Sequence, residues 1–204
     1  MDPQVADYCT TCLSPRVETR CAANRGCRET TEVWAESPEF VAIRDRKMCG
    51  CPDGFVHGLV IPRQRITGVE DPKRPDGIWA FAWNEARRHI PEEPAIALAV
   101  NPALARSQNQ LHVHIIRLRD NARAAFPSAA TAHVQDLSAV WSKASLLARA
   151  RRLSDYGVLV ARDPRGDFLV VVGDTSPEHD YSLERCAPVA GATSRRPTPP
   201  VPAE

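Results

Sequence analysis

The chain has 204 residues, 43% of them hydrophobic and 25% charged, the balance of a globular protein with a sizeable core. Its 26 Lys and Arg against 25 Asp and Glu leave a net charge of +1, so no global field draws nucleic acid or an anionic membrane to it. No apolar run approaches the roughly 18 residues that span a bilayer, and Met1-Asp2-Pro3-Gln4 lacks the basic-then-apolar pattern of a signal peptide, so no integral membrane segment and a cytoplasmic location are expected.

Six of the seven cysteines fall in the first 51 residues. Cys9 and Cys12 have the spacing of a zinc knuckle, and Cys49 and Cys51 offer a second pair to close a tetrathiolate site, so a structural zinc is one reading. Disulfides and free buried thiols are the others, and the odd total leaves at least one thiol unpaired in an all-disulfide scheme. Residues 1–36 read as an irregular cysteine-rich segment with at most a short helix. Residues 37–186 read as the catalytic domain, and residues 187–204 as a Pro- and Ala-rich disordered tail.

Along the domain, Phe40 to Arg44 is expected to form a strand, the Gly50 to Gly54 stretch a turn, and Phe55 to Ile61 the returning strand, ended by Pro62. Residues 63–77 read as a loop. Ile78 to Ile90 reads as a helix with Asp76 as its cap and Trp79 and Trp83 on one face, chiefly as core. Ala95 to Val100 is short and fully apolar, a central strand, and Leu111 to Leu118 is the next strand. After a loop over residues 121–130, the three- and four-residue recurrence of Val134, Leu137, Val140, Trp141, Ala144 and Ala148 predicts one long helix from Thr131 to Leu153. Val158 to Val160 and Phe168 to Val172 flank a hairpin turn at Asp163-Pro164-Arg165-Gly166. The expected fold class is α+β, a mostly antiparallel sheet with two main helices packed on it.

The chemistry concentrates in Arg106-Ser107-Gln108-Asn109-Gln110-Leu111-His112-Val113-His114-Ile115. Strand alternation sends Leu111, Val113 and Ile115 to the core and sets Gln110, His112 and His114 in a row on the other face, which should meet water or a ligand. Two histidines on one face can divide the labour of phosphoryl chemistry, one attacking phosphorus and the other assisting the phosphate oxygens or a proton. The same His-x-His spacing also suits a metal site. Ser107, Gln108 and Asn109 are poor strand formers but good donors to phosphate oxygens.

This segment resembles the histidine-triad superfamily and, more closely, the CDP-diacylglycerol pyrophosphatase family. The likeness rests on Arg106 to His114, on Pro62 followed by Arg65-Ile66-Thr67-Gly68-Val69-Glu70, on the helix bearing Trp79, Trp83, Ala86 and Arg87, on an apolar strand ending in Asn101, and on Tyr156-Gly157. It spans roughly residues 39–173. The resemblance implies a histidine-triad-like fold with His112 as nucleophile, His114 as phosphate-contacting or proton-handling residue, and Asn101 and Ser107 at the phosphate. Gln110 takes the first triad position, where the superfamily has histidine, and can orient a neighbour but carries no charge. Arg65 is a candidate partner for a diphosphate, because guanidinium pairs strongly with phosphate; Arg106 and Asn109 complete the expected substrate-binding set. Triad proteins often pair, so a homodimer is compatible with the resemblance.

The function expected on these grounds is that of a phosphoanhydride hydrolase or nucleotidyl transferase acting on a small-molecule or nucleotide-conjugate substrate, with no cofactor required for catalysis. The Gln110 substitution and the cysteine-rich head favour an alternative, a repurposed biosynthetic enzyme using His112 and His114 as general acid and base for a condensation or cyclisation. A third reading is a non-catalytic binding module held by zinc at the cysteines.

Overall fold

A computed structural model describes residues 33–45, 56–106 and 110–182. Its strands are β1 (Val33–Glu36), β2 (Phe40–Arg44), β3 (His57–Pro62), β4 (Ile96–Val100), β5 (Val113–Arg117), β6 (Thr131–Val134), β7 (Gly157–Arg162) and β8 (Phe168–Gly173). They form one eight-stranded sheet in the order β1-β2-β3-β5-β4-β7-β8-β6, and each pairing is antiparallel. The helices are α1 (Gly77–His89), α2 (Val140–Ala150) and the short α3 (Pro177–Tyr181). The α+β class and the two main helices expected from the sequence are thus observed.

The two faces of the sheet are built differently. One carries Phe40, Ala42, Val60, Ile96, Leu98, Val113, Ile115, Val158, Val160, Phe168 and Val170, and α1 and α2 bury it with Trp79, Trp83 and Trp141. Trp79 packs on Trp141 with ring centroids 4.7 Å apart, and Trp83 meets Phe168 edge-on at 5.0 Å, so the tryptophans are core residues rather than pocket walls. The opposite face has smaller apolar patches, one of Val41, Ile43, Leu59 and Ile61, the other of Ala97, Ala99, Ile116, Leu159 and Val171 with Phe126 and Tyr181 against it. The polar residues of interest lie on this second face.

Three local expectations are corrected. Val33–Glu36, placed in the irregular head by its polar surroundings, pairs with β2 as an edge strand. Trp34 lies over Gly58, where a Cβ would sit 2.0 Å from the indole, so glycine is required there. The long helix from Thr131 is instead β6, a 3₁₀ turn at Leu137–Ala139, and then α2. β-Branched Thr131 and Val134 favour the strand that pairs with β8, and Asp136 accepts the Ser138 N–H at 2.7 Å, starting helical structure only there. Asp76 occupies the N-cap position of α1 but makes no side-chain cap bond, because its backbone is already helical. The cysteines, the Gly50 to Gly54 turn and the C-terminal tail lie outside the described residues. Among the described residues no helix is long and apolar enough to cross a membrane.

Candidate active site

Alternation along β5 and the residues leading into it sets the site. Leu111, Val113 and Ile115 enter the helix-covered core, as expected, and His112 and His114 point to the other face. That row does not meet bulk water. Gln110, His112 and His114 are only 3%, 5% and 2% exposed. Burial is tolerated because each finds partners.

Gln110 does something other than orient a histidine with its side chain. Its amide oxygen accepts the Ile66 N–H at 3.2 Å, and its amide nitrogen donates to the carbonyls of Pro62 and Gln64 at 3.0 and 2.9 Å. The side chain therefore clamps the segment leaving β3. The Gln110 main chain does the orienting: its carbonyl accepts a hydrogen bond from Nδ1 of His112 at 2.8 Å. With the proton held on Nδ1, Nε2 of His112 carries the lone pair. Burial, with a smaller push from the Arg106 guanidinium, takes His112 down to about 4 against the opposing pull of the Gln110 hydrogen bond, Asp45 and Glu178. His112 is thus a neutral imidazole at neutral pH, with a fixed tautomer.

Beside it, 4.7 Å away between ring centroids, His114 belongs to a buried polar cluster drawn from five separate stretches of chain. His57 Nε2 contacts His114 Nδ1 at 3.0 Å, and His57 Nδ1 lies 3.4 Å from Asp45 Oδ2. Asn101 Nδ2 donates to Glu178 Oε2 at 2.7 Å and contacts His114 Nε2 at 3.2 Å. The Ser176 hydroxyl donates to Asn101 Oδ1 at 2.8 Å, which settles the amide's orientation. Glu178 also lies 3.5 Å from His57 Nε2 and 3.4 Å from His114 Nε2. Asp45 follows β2, His57 opens β3, Asn101 follows β4, and Ser176 and Glu178 come from the start of α3.

Gly157 makes the last of these placements feasible. A Cβ there would lie 2.6 Å from Pro177 Cδ and 2.9 Å from the Thr175 carbonyl, so only glycine lets the Thr175–Pro177 segment cross the start of β7 and deliver Glu178.

Of the expected substrate-binding residues, Asn101 joins the cluster directly. Arg106 lies close enough to His112 to act on it electrostatically: its Nη2 donates to the Thr67 carbonyl at 3.1 Å, and its Nε and Nη1 are buried without a hydrogen-bond partner among the described residues. Arg65 is exposed on the segment leaving β3. Ser107 and Asn109 lie outside the described residues, as do Cys9, Cys12, Cys49 and Cys51.

A family model described as CDP-diacylglycerol pyrophosphatase matches residues 11–153. The chain belongs to the CDP-diacylglycerol pyrophosphatase family. A probable CDP-diacylglycerol pyrophosphatase of Mycobacterium leprae (strain TN) is 40% identical over 68 residues, an alignment covering 28% of this chain and 25% of that relative. The chain thus matches about a quarter of that relative's length. Among solved structures, a Zn-bound histidine triad family protein from Mycobacterium smegmatis is similar at 19% identity with a TM-score of 0.33, covering 66% of this chain and 95% of that one.

Two of the pieces that carried the family resemblance meet in space without touching the histidines. The Tyr156 hydroxyl donates to Glu70, the Ser145 hydroxyl donates to the same carboxylate at 3.0 Å, and Arg74 donates to Ser145 at 3.0 Å. Burial and the Glu70 carboxylate push Tyr156 up to about 12, so the phenol keeps its proton and remains a donor. In this member of the CDP-diacylglycerol pyrophosphatase family the Glu70 and Tyr156 positions tie the loop before α1 to α2 and β7, a scaffold role.

Sequence reasoning missed Asp45, His57, Ser176 and Glu178. His57 had a readable signal, since it shares strand parity with Leu59 and Ile61 on the face opposite the helices. Glu178 had a weaker one, Ser176-Pro177, the N-cap and first-position pattern of a helix start.

Proposed function

We propose that the protein hydrolyses the phosphoanhydride of a nucleoside diphosphate conjugate, with CDP-diacylglycerol the first candidate, through His112. The observation that carries this reading is the hydrogen bond from His112 Nδ1 to the Gln110 carbonyl, which leaves Nε2 as the nucleophilic atom, within the electrostatic reach of a guanidinium whose Nε and Nη1 are buried without a partner among the described residues. Buried donors without partners are costly, and a phosphate oxygen would satisfy them. Membership of the family supplies the substrate class.

In the first step Nε2 of His112 attacks the nucleotide-side phosphorus. A P–N bond forms, the anhydride P–O bond breaks, and the far phosphate leaves as a monoester. Arg106 stabilises the charge that develops on the transferred phosphorus, and His114, held by His57 and Asn101, contacts the leaving oxygens. Water then attacks the phosphohistidine, the P–N bond breaks, and the nucleoside monophosphate leaves with His112 restored. If an alcohol replaced water, the same intermediate would make the protein a nucleotidyl transferase.

The test is a release assay. Purified protein is incubated with CDP-diacylglycerol and a panel of nucleoside diphosphate conjugates, and nucleoside monophosphate is followed by chromatography. Release that is lost in His112→Ala supports the reading. Equal release by wild type and variant overturns it, and no release from any conjugate shifts weight to acid–base chemistry on a phosphate-free metabolite.

A further inference from the structure

The cluster around His114 holds more than a nucleophile's neighbour requires. Two carboxylates, Asp45 and Glu178, are 5% and 7% exposed beside two imidazoles. Buried carboxylates call for compensating positive charge, supplied by imidazolium or by a cation. We propose that His57, His114 and Glu178 form a binding site for a divalent transition-metal cation of the zinc class.

Three observations point to it. The first is spacing. One ligand atom from each of the three residues lies within 4.8 Å of the others. Ligands about 2.0–2.1 Å from a tetrahedral zinc lie about 3.3 Å from one another. His57 Nε2 lies 3.0 Å from His114 Nδ1 and 3.5 Å from Glu178 Oε1, close to that separation, while the 3.4 Å contact between His114 and Glu178 joins their other atoms, Nε2 and Oε2. An ion fits once the Glu178 carboxylate and the His114 ring turn so that one atom of each closes on His57 Nε2, from separations within 4.8 Å to about 3.3 Å.

The second is the outer ring of partners. A metal-bound histidine commonly gives its other N–H to a carboxylate, which turns the remaining nitrogen toward the ion. Asp45 stands in that position, 3.4 Å from His57 Nδ1. The ligating carboxylate should itself be held, and Asn101 holds Glu178 at 2.7 Å while Ser176 holds Asn101.

The third is rigidity. His57 and His114 sit on the hydrogen-bonded strands β3 and β5, where His57 pairs with Ile116 and Leu59 with His114. The two histidines are diagonal neighbours on one face, fixed by the sheet. Two imidazoles and one carboxylate leave a fourth tetrahedral position for a non-protein ligand, the pattern of zinc sites that act on substrates. An ion there would lie beside His112 and would take over from His114 the contact with a phosphate oxygen of the substrate proposed above. Ion binding needs no substrate, so the two readings fail separately.

The experiment uses the full chain, stripped with chelator and titrated with Co²⁺ under reducing conditions, with Zn²⁺ as competitor in calorimetry. Any ion taken up by the chain's seven cysteines would be told apart, because thiolate ligands give an ultraviolet charge-transfer band that nitrogen and oxygen ligands lack. The expected result is about one Co²⁺ per chain with visible d–d bands and no accompanying thiolate band, displaced by Zn²⁺. Glu178→Gln, which keeps a partner for Asn101, and His57→Gln should each weaken this binding at least ~10–100-fold, and Asp45→Asn by about 10–100-fold. Circular dichroism checks the fold of each variant; should Glu178→Gln not fold, Asp45→Asn decides on the same readout. A wild-type protein that shows only thiolate-bound cobalt, or none, overturns the site, as does binding that folded variants leave unchanged.

Discussion

The two faces of the sheet are both buried, yet they are sealed by opposite means. Beneath α1 and α2 the seal is apolar, with Trp79, Trp141, Ile78, Leu98 and Ile115 all below 2% exposure. On the other face the centre is polar, and burial is maintained by hydrogen bonds among His57, Asn101, His114, Ser176 and Glu178, with Asp45 3.4 Å from His57. Apolar packing contributes stability in proportion to area and tolerates some rearrangement. A buried polar network contributes little net stability but fixes direction, because each proton has an assigned place. β5 and the residues leading into it separate the apolar half of the molecule, which holds the fold, from the polar half, which carries the candidate site.

Substitutions on the two faces should therefore have separable effects. His112→Ala is expected to lower turnover about 10⁴-fold or more while leaving the urea midpoint nearly unchanged; steady-state kinetics beside a denaturation curve reads both, and a large loss of stability with activity retained would dissolve the distinction. Trp79→Ala, on the helix-covered face, should cost about 3–5 kcal/mol by denaturant titration, with unaltered specific activity in the folded fraction. Gly157→Ala sits between the two faces. Its added methyl meets the Thr175 carbonyl at 2.9 Å, so it should destabilise by about 1–3 kcal/mol and also lower activity by displacing α3 and Glu178. An alanine tolerated without change in either measurement would show that the approach of α3 is not as close as described. Asp136→Ala removes the bond to Ser138 that starts the helical turn before α2, for about 1 kcal/mol of stability and no change in activity.

The apolar half was the more legible in the sequence. Phe40–Arg44 emerged with its observed bounds, and the hairpin of β7 and β8 emerged within a residue or two at each end, because continuous apolar runs between turn residues read directly as buried strands. The error at residues 131–136 arose where helix periodicity was extended backward through Val134, which pairs with Phe168 of β8 as a strand residue while its side chain shares the apolar cluster of α2. The site was half legible. His112 immediately precedes β5 and His114 lies on it, and period-two alternation placed them on one face. His57, Asp45 and Glu178 reach the same place only through the β2-β3-β5-β4 neighbour order and the crossing of α3 over Gly157, and no local pattern encodes either. Gln110 was given a role by analogy of position, whereas the chain uses its side chain to bind its own backbone at residues 62–66.

The central claim is that Nε2 of His112 becomes bonded to phosphorus, and intact-mass spectrometry of the protein mixed briefly with CDP-diacylglycerol tests it most directly. The quench must be alkaline, since phosphohistidine is lost in acid. The account predicts a transient mass increase equal to one cytidylyl group, mapped by digestion to the peptide containing His112 and absent in His112→Ala. Turnover without any such adduct, together with retained turnover in His112→Ala, would contradict it.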